Sequence, residues 1–589
     1  MPTLNWIGKD AVVNHHNQVS FRTLEKKYTF GEADSDNMII HGDNLEALKT
    51  LLPKYEGRIK CIYIDPPYNT GASPENGGWK YYDNVDSPKI RKWLGQVVGT
   101  KESDFSRHDK WLCMMYPRLK LLQKLLSADG AIFISIDYNE QANLKLICDE
   151  IFGEGNFIAE FIWYVDDGHT DNQDDITVLH EYILCYAKNK KTVHINEVVD
   201  PTIDKSSKIL NTYAENSITK NGEKNPPSIV VLKKGFPCEI STLNVNKDDC
   251  ASDIIEESKI IGYITRDMSK KYKVSYPVKL DDMIVQNGRL VNDCRVFSGW
   301  MNNDKLKKFI ANDFKPLDDN GKLCFYLSKN GVVYYRRDNR TPHYIQTVLE
   351  KMGTTETNKY MLESMNLTFS YPKPYTLIQF LLSIFSDKNS IILDSFAGSG
   401  TTAHSVLNLN KQDGGNRKFI LVEMEDYAET ITAERVRRVM NGYGKDKNAV
   451  EGTGGGFSFY ELGETVFNAD GYLNEAVGVE KIREYIWYSE THVPYVGLPQ
   501  RGCRSDNDGR LPQCDSPTNN YLLGNHNGTA YYFYYEPNRI TTLNHDTLNI
   551  VREKAETYVI YADQCMIDDE WLTANHIIFK KIPRDINRF

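Results

Sequence analysis

A chain of 589 residues with 41% hydrophobic content is too long for one small core and is expected to divide into about three domains. Its net charge of -10 excludes coating of nucleic acid through bulk charge and leaves that role to local basic patches. The longest apolar stretches, such as LIQFLLSIF at 377–385, reach only half of the ~18 residues a membrane span needs. The start, MPTLNWIGKD, lacks the apolar run of a signal peptide, so a cytoplasmic protein is expected. Eleven cysteines without a CxxC pair read as reduced thiols rather than zinc ligands, and no metal is expected.

Residues 1–37 are polar and read as an irregular N-terminal arm. Order is expected from Met38–Ile40, a strand, followed by a turn at Gly42 and Asp43 and a helix carrying Leu45, Leu48, Leu51 and Leu52. A second strand, Ile59–Ile64, runs straight into DPPY, where two prolines remove backbone donors and end the sheet pairing. A Gly-rich loop at 71–78, a helix through WLCMMYPRLKLLQKLL and a buried strand DGAIFISID complete an alternating αβ pattern over 38–190.

From 191 to 365 the texture changes to short β-like pieces and basic-aromatic clusters, which reads as an inserted domain. The αβ pattern resumes over 366–440 with a helix YTLIQFLLSIF, a strand IILD, a helix from Thr401 and a strand KFILVEME. The glycines of 441–456 read as a linker, and 457–589 as a separate α+β domain.

Two stretches carry chemistry. LDSFAGSGTTA, 393–403, sets Gly398 and Gly400 between a strand and a helix, as a loop cradling an adenosine cofactor requires. Glu423 follows ~20 residues on, where an acid can hydrogen-bond ribose hydroxyls. No GK[ST] tripeptide occurs, which disfavours ATP and leaves NAD or S-adenosylmethionine. Asp65, at the carboxyl end of its strand, is expected on the same sheet edge as that loop. An exocyclic base amine has its lone pair delocalised into the ring, and two acceptors on its N–H groups localise that pair for attack. Asp65 and the Pro66 carbonyl, stiffened by Pro67, can supply the acceptors, and Tyr68 a face for stacking a flipped base. That chemistry favours S-adenosylmethionine.

The order of DPPY, a long insert and FAGSG resembles the β class of DNA amino-methyltransferases. LNWIGK, GDNLEAL, IYIDPPYNTG, LHEYILCYAK and VIYADQC with KKIPRDI resemble the Mod subunit of type III restriction-modification systems. The resemblance implies a Rossmann-like α/β methyltransferase sheet with circularly permuted motif order, an inserted target-recognition domain and a C-terminal association domain. It implies Asp65, Pro66, Pro67 and Tyr68 as the target-base motif, and Asp394, Phe396, Ala397, Gly398, Gly400, Thr401 and Glu423 as the cofactor loop and ribose acid. Lys373, in YPKPYTL, is implied to face the cofactor carboxylate, and Asp43, in HGDN, to lie beside the adenine.

An initial Asp in the motif implies adenine N6, with cytosine N4 as the rival. Lys270, Lys271, Lys273, Arg336, Arg337 and Arg340 suit phosphate and guanine contacts in double-stranded DNA. A homodimer and a helicase-nuclease restriction partner are implied. The alternatives are a stand-alone methyltransferase, a DNA specificity subunit that aims a nuclease, and a Rossmann oxidoreductase supported only by GSGTTA. His180 and Glu181 read as structural, because HEYIL lacks the second His of a zinc motif.

Overall fold

The structure, a computed structural model, describes residues 3–32, 35–70, 106–165, 178–204, 206–339, 345–495 and 521–587. It divides into two compact units, 1–202 with 346–589, and 203–345. The Gly-rich loop expected at 71–78 lies outside the described residues.

The larger unit is built on a ten-stranded sheet. In chain order its strands are β1 (Arg22–Gly31), β2 (Met38–His41), β3 (Ile59–Ile64), β4 (Leu126–Ile136), β5 (Phe157–Tyr164), β6 (His180–Ala187), β7 (Val348–Leu349), β8 (Ile391–Asp394), β9 (Lys418–Glu423) and β10 (Gly456–Thr465). Their spatial order is β1-β10-β2-β9-β8-β3-β4-β6-β5-β7. Pairing from β10 through to β4 is parallel, and β1 and β6 join antiparallel. Interior parallel strands are covered on both faces, which is why β3 reads as the nearly unbroken apolar run IKCIYI and is buried along its length.

Helices α1 (Asn44–Tyr55), α2 (Arg107–Leu125), α3 (Tyr375–Phe385), α4 (Thr401–Asp413), α5 (Glu434–Asn441) and α6 (Val479–Thr491) accompany the sheet. Asp43 caps α1 by accepting the N–H groups of Leu45 and Glu46 at 2.9 and 3.2 Å. Ser106 and Asp109 form a reciprocal capping box at the start of α2. Strand β8 lies against β3 with Ile392 opposite Cys61 and Leu393 opposite Ile62, although more than 300 residues separate them in the chain. The carboxyl ends of both strands therefore open onto one edge of the sheet, at which α/β folds bind ligands.

Two expected boundaries differ from the structure. The N-terminal segment is not irregular: residues 22–31 form β1, paired with β10 from Arg22–Thr465 to Gly31–Gly456. The glycines of 441–456 serve a short hairpin, with Gly442 and Tyr443 paired to Glu451 and Val450, and then lead into β10, which belongs to the central sheet. Gly31 and Gly456 allow the closest approach: a side chain at Gly31 would meet the Gly455 carbonyl at 2.2 Å. After β10, α6 and a four-stranded sheet of Leu522–His526, Thr529–Phe533, Thr557–Ala562 and Ile577–Lys581 form the C-terminal portion. It is tied together at Glu490, which accepts from Lys580 at 2.6 Å and from the Tyr561 hydroxyl at 2.5 Å.

The second unit, 203–345, falls inside the 191–365 insert and carries its own core, including Val230, Phe236, Val285, Val296, Phe309 and Phe325. Its strands make two three-stranded sheets and one of four strands. Among the described residues, no helix is long and apolar enough to cross a membrane.

Buried Asn37 joins the chain's two ends. Its side chain donates to the Gly456 carbonyl at 2.9 Å and accepts from the Phe419 N–H at 3.0 Å, and its carbonyl accepts from Ser458 at 2.9 Å. Asn37→Ala strips the side-chain partners from two buried backbone groups and is expected to cost about 2–4 kcal/mol, measurable as a lower urea midpoint.

Candidate active site

At the end of β3 the chain turns through Asp65, Pro66, Pro67 and Tyr68. The Trp111 indole of α2 donates to the Pro67 carbonyl at 2.7 Å. Asn69 follows with φ +59°, a left-handed conformation that asparagine tolerates. Its amide donates to the Arg107 carbonyl at 3.1 Å and to the fully buried Glu140, whose carboxylate also meets His108 Nδ1 at 2.7 Å. The turn is thus held from α2 and from the loop after β4.

Around Asp65 lies a compact cluster of charge. Lys373 Nζ stands 3.1 Å from Asp65 Oδ2 and 3.4 Å from Glu181 Oε2, with the Tyr68 ring centroid at 4.6 Å. The Tyr68 hydroxyl donates to Glu181 at 2.7 Å. Burial raises the Asp65 carboxyl above its ordinary value, and the Lys373 ammonium works against that rise. Burial pulls the Lys373 ammonium down, but the carboxylates of Asp65 and Glu181 outweigh it and hold the lysine above its ordinary value. Asp65 Oδ1 is buried and has no hydrogen-bond partner among the described residues.

Beside this cluster, Asp394 ends β8 and folds the glycine loop by accepting from the Phe396 N–H at 3.0 Å and the Thr402 hydroxyl at 2.5 Å. Glu423 ends β9 and accepts from the Gly398 N–H at 2.7 Å and the Glu425 N–H at 3.0 Å. Burial pushes both acids up to about 7. Gly398 and Gly400 have φ of +51° and +83°. From behind the loop, buried Arg435 of α5 donates to the Ser399 and Thr401 hydroxyls at 2.6 and 2.7 Å.

One solvent-open cleft of about 340 Å³ unites the two stretches. Its walls include Asp65, Lys373, Asp394, Phe396, Ala397, Gly398 and Thr401, together with Tyr63, Phe369 and Tyr371. Of the residues singled out in the sequence, Tyr68, Gly400 and Glu423 support this wall from behind or beside it. Asp43 caps α1 on the same edge, where the Gly42 N–H donates to the Glu423 carbonyl at 3.0 Å.

A family profile described as DNA methylase matches residues 59–434, which includes both stretches and the insert. The chain belongs to the DNA methylase family. It is 30% identical over 72% of its length to the type III restriction-modification enzyme EcoP15I Mod subunit of Escherichia coli, of which it covers 64%. It is 30% identical over 72% of its length to the StyLTI Mod subunit of Salmonella typhimurium, of which it covers 58%. It is 26% identical over 70% of its length to the type II methyltransferase M.KpnI of Klebsiella pneumoniae, covering 89% of it. The chain thus spans about three fifths of the length of those two type III relatives.

Two placements go beyond what the sequence implied. Lys373 turns to Asp65 and Glu181, drawn by two carboxylates in a site with little water to screen them. Glu181, read from sequence as structural, enters the charge cluster, because alternation along β6 brings it beside Tyr68. No spacing signal links it to DPPY, which lies more than 100 residues earlier.

In the second unit, Lys271 pairs with Glu257 at 2.6 Å and Arg337 with Asp319 at 2.6 Å, so both already have acid partners. The Arg336 guanidinium stacks on Tyr213 at 3.5 Å. Lys270 lies in the last turn of the short helix Arg266–Lys271, Lys273 follows at φ +53°, and Arg340 lies outside the described residues.

The glycine loop supplies a direct test. At Gly400 an added Cβ would meet the Thr432 carbonyl at 3.0 Å in a left-handed conformation. Gly400→Ala is expected to cost about 1–3 kcal/mol, read as a lowered melting temperature.

Proposed function

We propose that this DNA methylase transfers a methyl group from S-adenosylmethionine to the exocyclic N6 amine of adenine in double-stranded DNA, as the modification subunit of a type III restriction-modification system. The observation that carries the reading is the buried, unpartnered Oδ1 of Asp65 in the cleft it shares with the glycine loop. A base amine entering that cleft would meet an acceptor ready for its N–H.

The residues fit the cofactor. Gly398 and Gly400 leave room for close approach to the backbone, Phe369 and Phe396 line the cleft, and each Glu423 oxygen keeps a lone pair beyond its one backbone bond. When bound, S-adenosylmethionine supplies an activated methyl group. Asp65 accepts the amine N–H and draws the nitrogen lone pair out of the ring. The Pro66–Pro67 turn, pinned by Trp111, holds that acceptor in place, so orientation and charge placement carry the rate. Tyr68 offers a face to the flipped base, with its hydroxyl fixed on Glu181.

Adenine is favoured over cytosine by the leading Asp of DPPY, and the 203–345 unit is assigned to DNA recognition through its basic-aromatic strands. A homodimer and a helicase-nuclease partner follow from the type III reading, which the Mod relatives support. The chain's own lack of a GK[ST] loop assigns ATP-driven cleavage to another subunit.

Tritium transfer from labelled S-adenosylmethionine to unmethylated DNA tests the reaction. Label is expected in N6-methyladenine, with a loss of about 100-fold or more in Asp65→Ala. Label in N4-methylcytosine would replace the base assignment, and no label would remove the reaction.

Cofactor binding supplies a second test. Ribose hydroxyls donate to the carboxylate form of Glu423, whose carboxyl is pushed up to about 7. Protonation below that value removes the acceptor. Affinity is expected to weaken as pH falls from 8 to 5, approaching about tenfold per unit at the acid end, measured by calorimetry.

A further inference from the structure

One carboxylate beside the cleft has so far served only to fix the Tyr68 hydroxyl. Glu181 stands on β6, two strands from β3 across β4, yet its Oε2 is the shared partner of two groups that contact the Asp65 turn. It accepts the Tyr68 hydroxyl at 2.7 Å and lies 3.4 Å from the Lys373 ammonium. Lys373 in turn is 3.1 Å from Asp65 Oδ2 and covers the Tyr68 ring. We infer that Glu181 is a positioning residue for methyl transfer, sharing the Lys373 cation with Asp65 and fixing the plane of Tyr68. The inference rests on the methyltransferase reading.

The physical reason is a division of charge. One ammonium stands between two carboxylates in a site shielded from water, where each ion pair is stronger than at the surface. With Glu181 present, Lys373 cannot neutralise Asp65 fully, and the Asp65 carboxylate keeps its power to polarise an amine. With Glu181 gone, the ammonium settles on Asp65 alone and takes up the charge the amine needs. The phenol of Tyr68 loses its anchor at the same time, so the ring that meets the base is free to tilt.

Every ionisable group facing Asp65 bears on its titration. Glu181 of β6 opposes the ionised form, whereas Lys373 and the Tyr68 hydroxyl favour it, and the Asp65 charge in turn raises the values of its neighbours Tyr63 of β3 and Asp394 of β8. Because Glu181 opposes that form, its removal lowers the Asp65 value.

The test is Glu181→Gln in the full chain, which keeps the side-chain shape and a hydrogen-bonding oxygen for Tyr68. In the free protein, a carbon-13 carboxyl titration with Asp65 assigned through Asp65→Asn is expected to show the Asp65 midpoint displaced to lower pH. In the transfer assay, kcat is expected to fall about tenfold or more, with KM for S-adenosylmethionine within about twofold and the acid limb of kcat moved to lower pH. Glu181→Ala removes the Tyr68 anchor together with the charge, and Tyr68→Phe removes the same anchor from the other side. The combination of Tyr68→Phe with Glu181→Ala is expected to cost less than the product of the two single losses.

An unmoved Asp65 midpoint overturns the inference, as does kcat within twofold of wild type. A wild type that transfers no methyl group overturns the methyltransferase reading, and the role in catalysis with it. The carboxyl titration still reports whether Glu181 governs Asp65.

Discussion

The parallel pairing of β3 with β8 is the contact on which the rest depends. Four residues, Cys61 and Ile62 opposite Ile392 and Leu393, bring together strands from the two ends of a chain interrupted by a separate unit. Because parallel strands run the same way, both of their following turns leave the same sheet edge. DPPY and the glycine loop then share a wall without either being long. Shifting that register would move Asp65 along the sheet axis by ~3.3 Å per residue, enough to separate it from the loop.

Placing acids on that edge has an electrostatic consequence. Asp394 and Glu423 are buried and Asp65 is partly so, and burial raises the carboxyl of each. Asp394 and Glu423 are met mainly by backbone N–H groups and a hydroxyl, which orient them without neutralising them. Asp65 is met by a lysine that a second acid shares. Three acids of one chemical type are thereby given different environments, two folding the glycine loop and one paired with a shared lysine.

The sheet also explains why both termini belong to the same unit as the site. Strand β10 enters between β1 and β2, and Asn37 satisfies backbone groups of β9 and β10. The strand that carries Glu423 is therefore flanked on one side by β8 and on the other by β2, with β10 beyond. The C-terminal portion continues from this framework through α6, whose Tyr488 hydroxyl donates to Glu56 just after α1.

Local chemistry made much of this protein legible in its sequence. Apolar runs of strand length, glycines at a strand-to-helix turn and the double proline after Ile64 each act within a few residues and each determined an element or a turn, whereas the cap of α1 reads as Asn44 in the sequence and falls to Asp43 in the structure. The two motifs and their shared edge followed from those signals and from the rule that parallel strands open on one side. The partners of long range did not follow. Strand β1 alternates too irregularly to show that β10 would cover it, and neither Glu181 nor Lys373 carries a spacing signal to its partners beside Asp65. Only the tertiary structure decided these. A charge in a buried site goes to whichever opposite charge the fold brings within a few ångströms, and sequence distance leaves no trace of that choice.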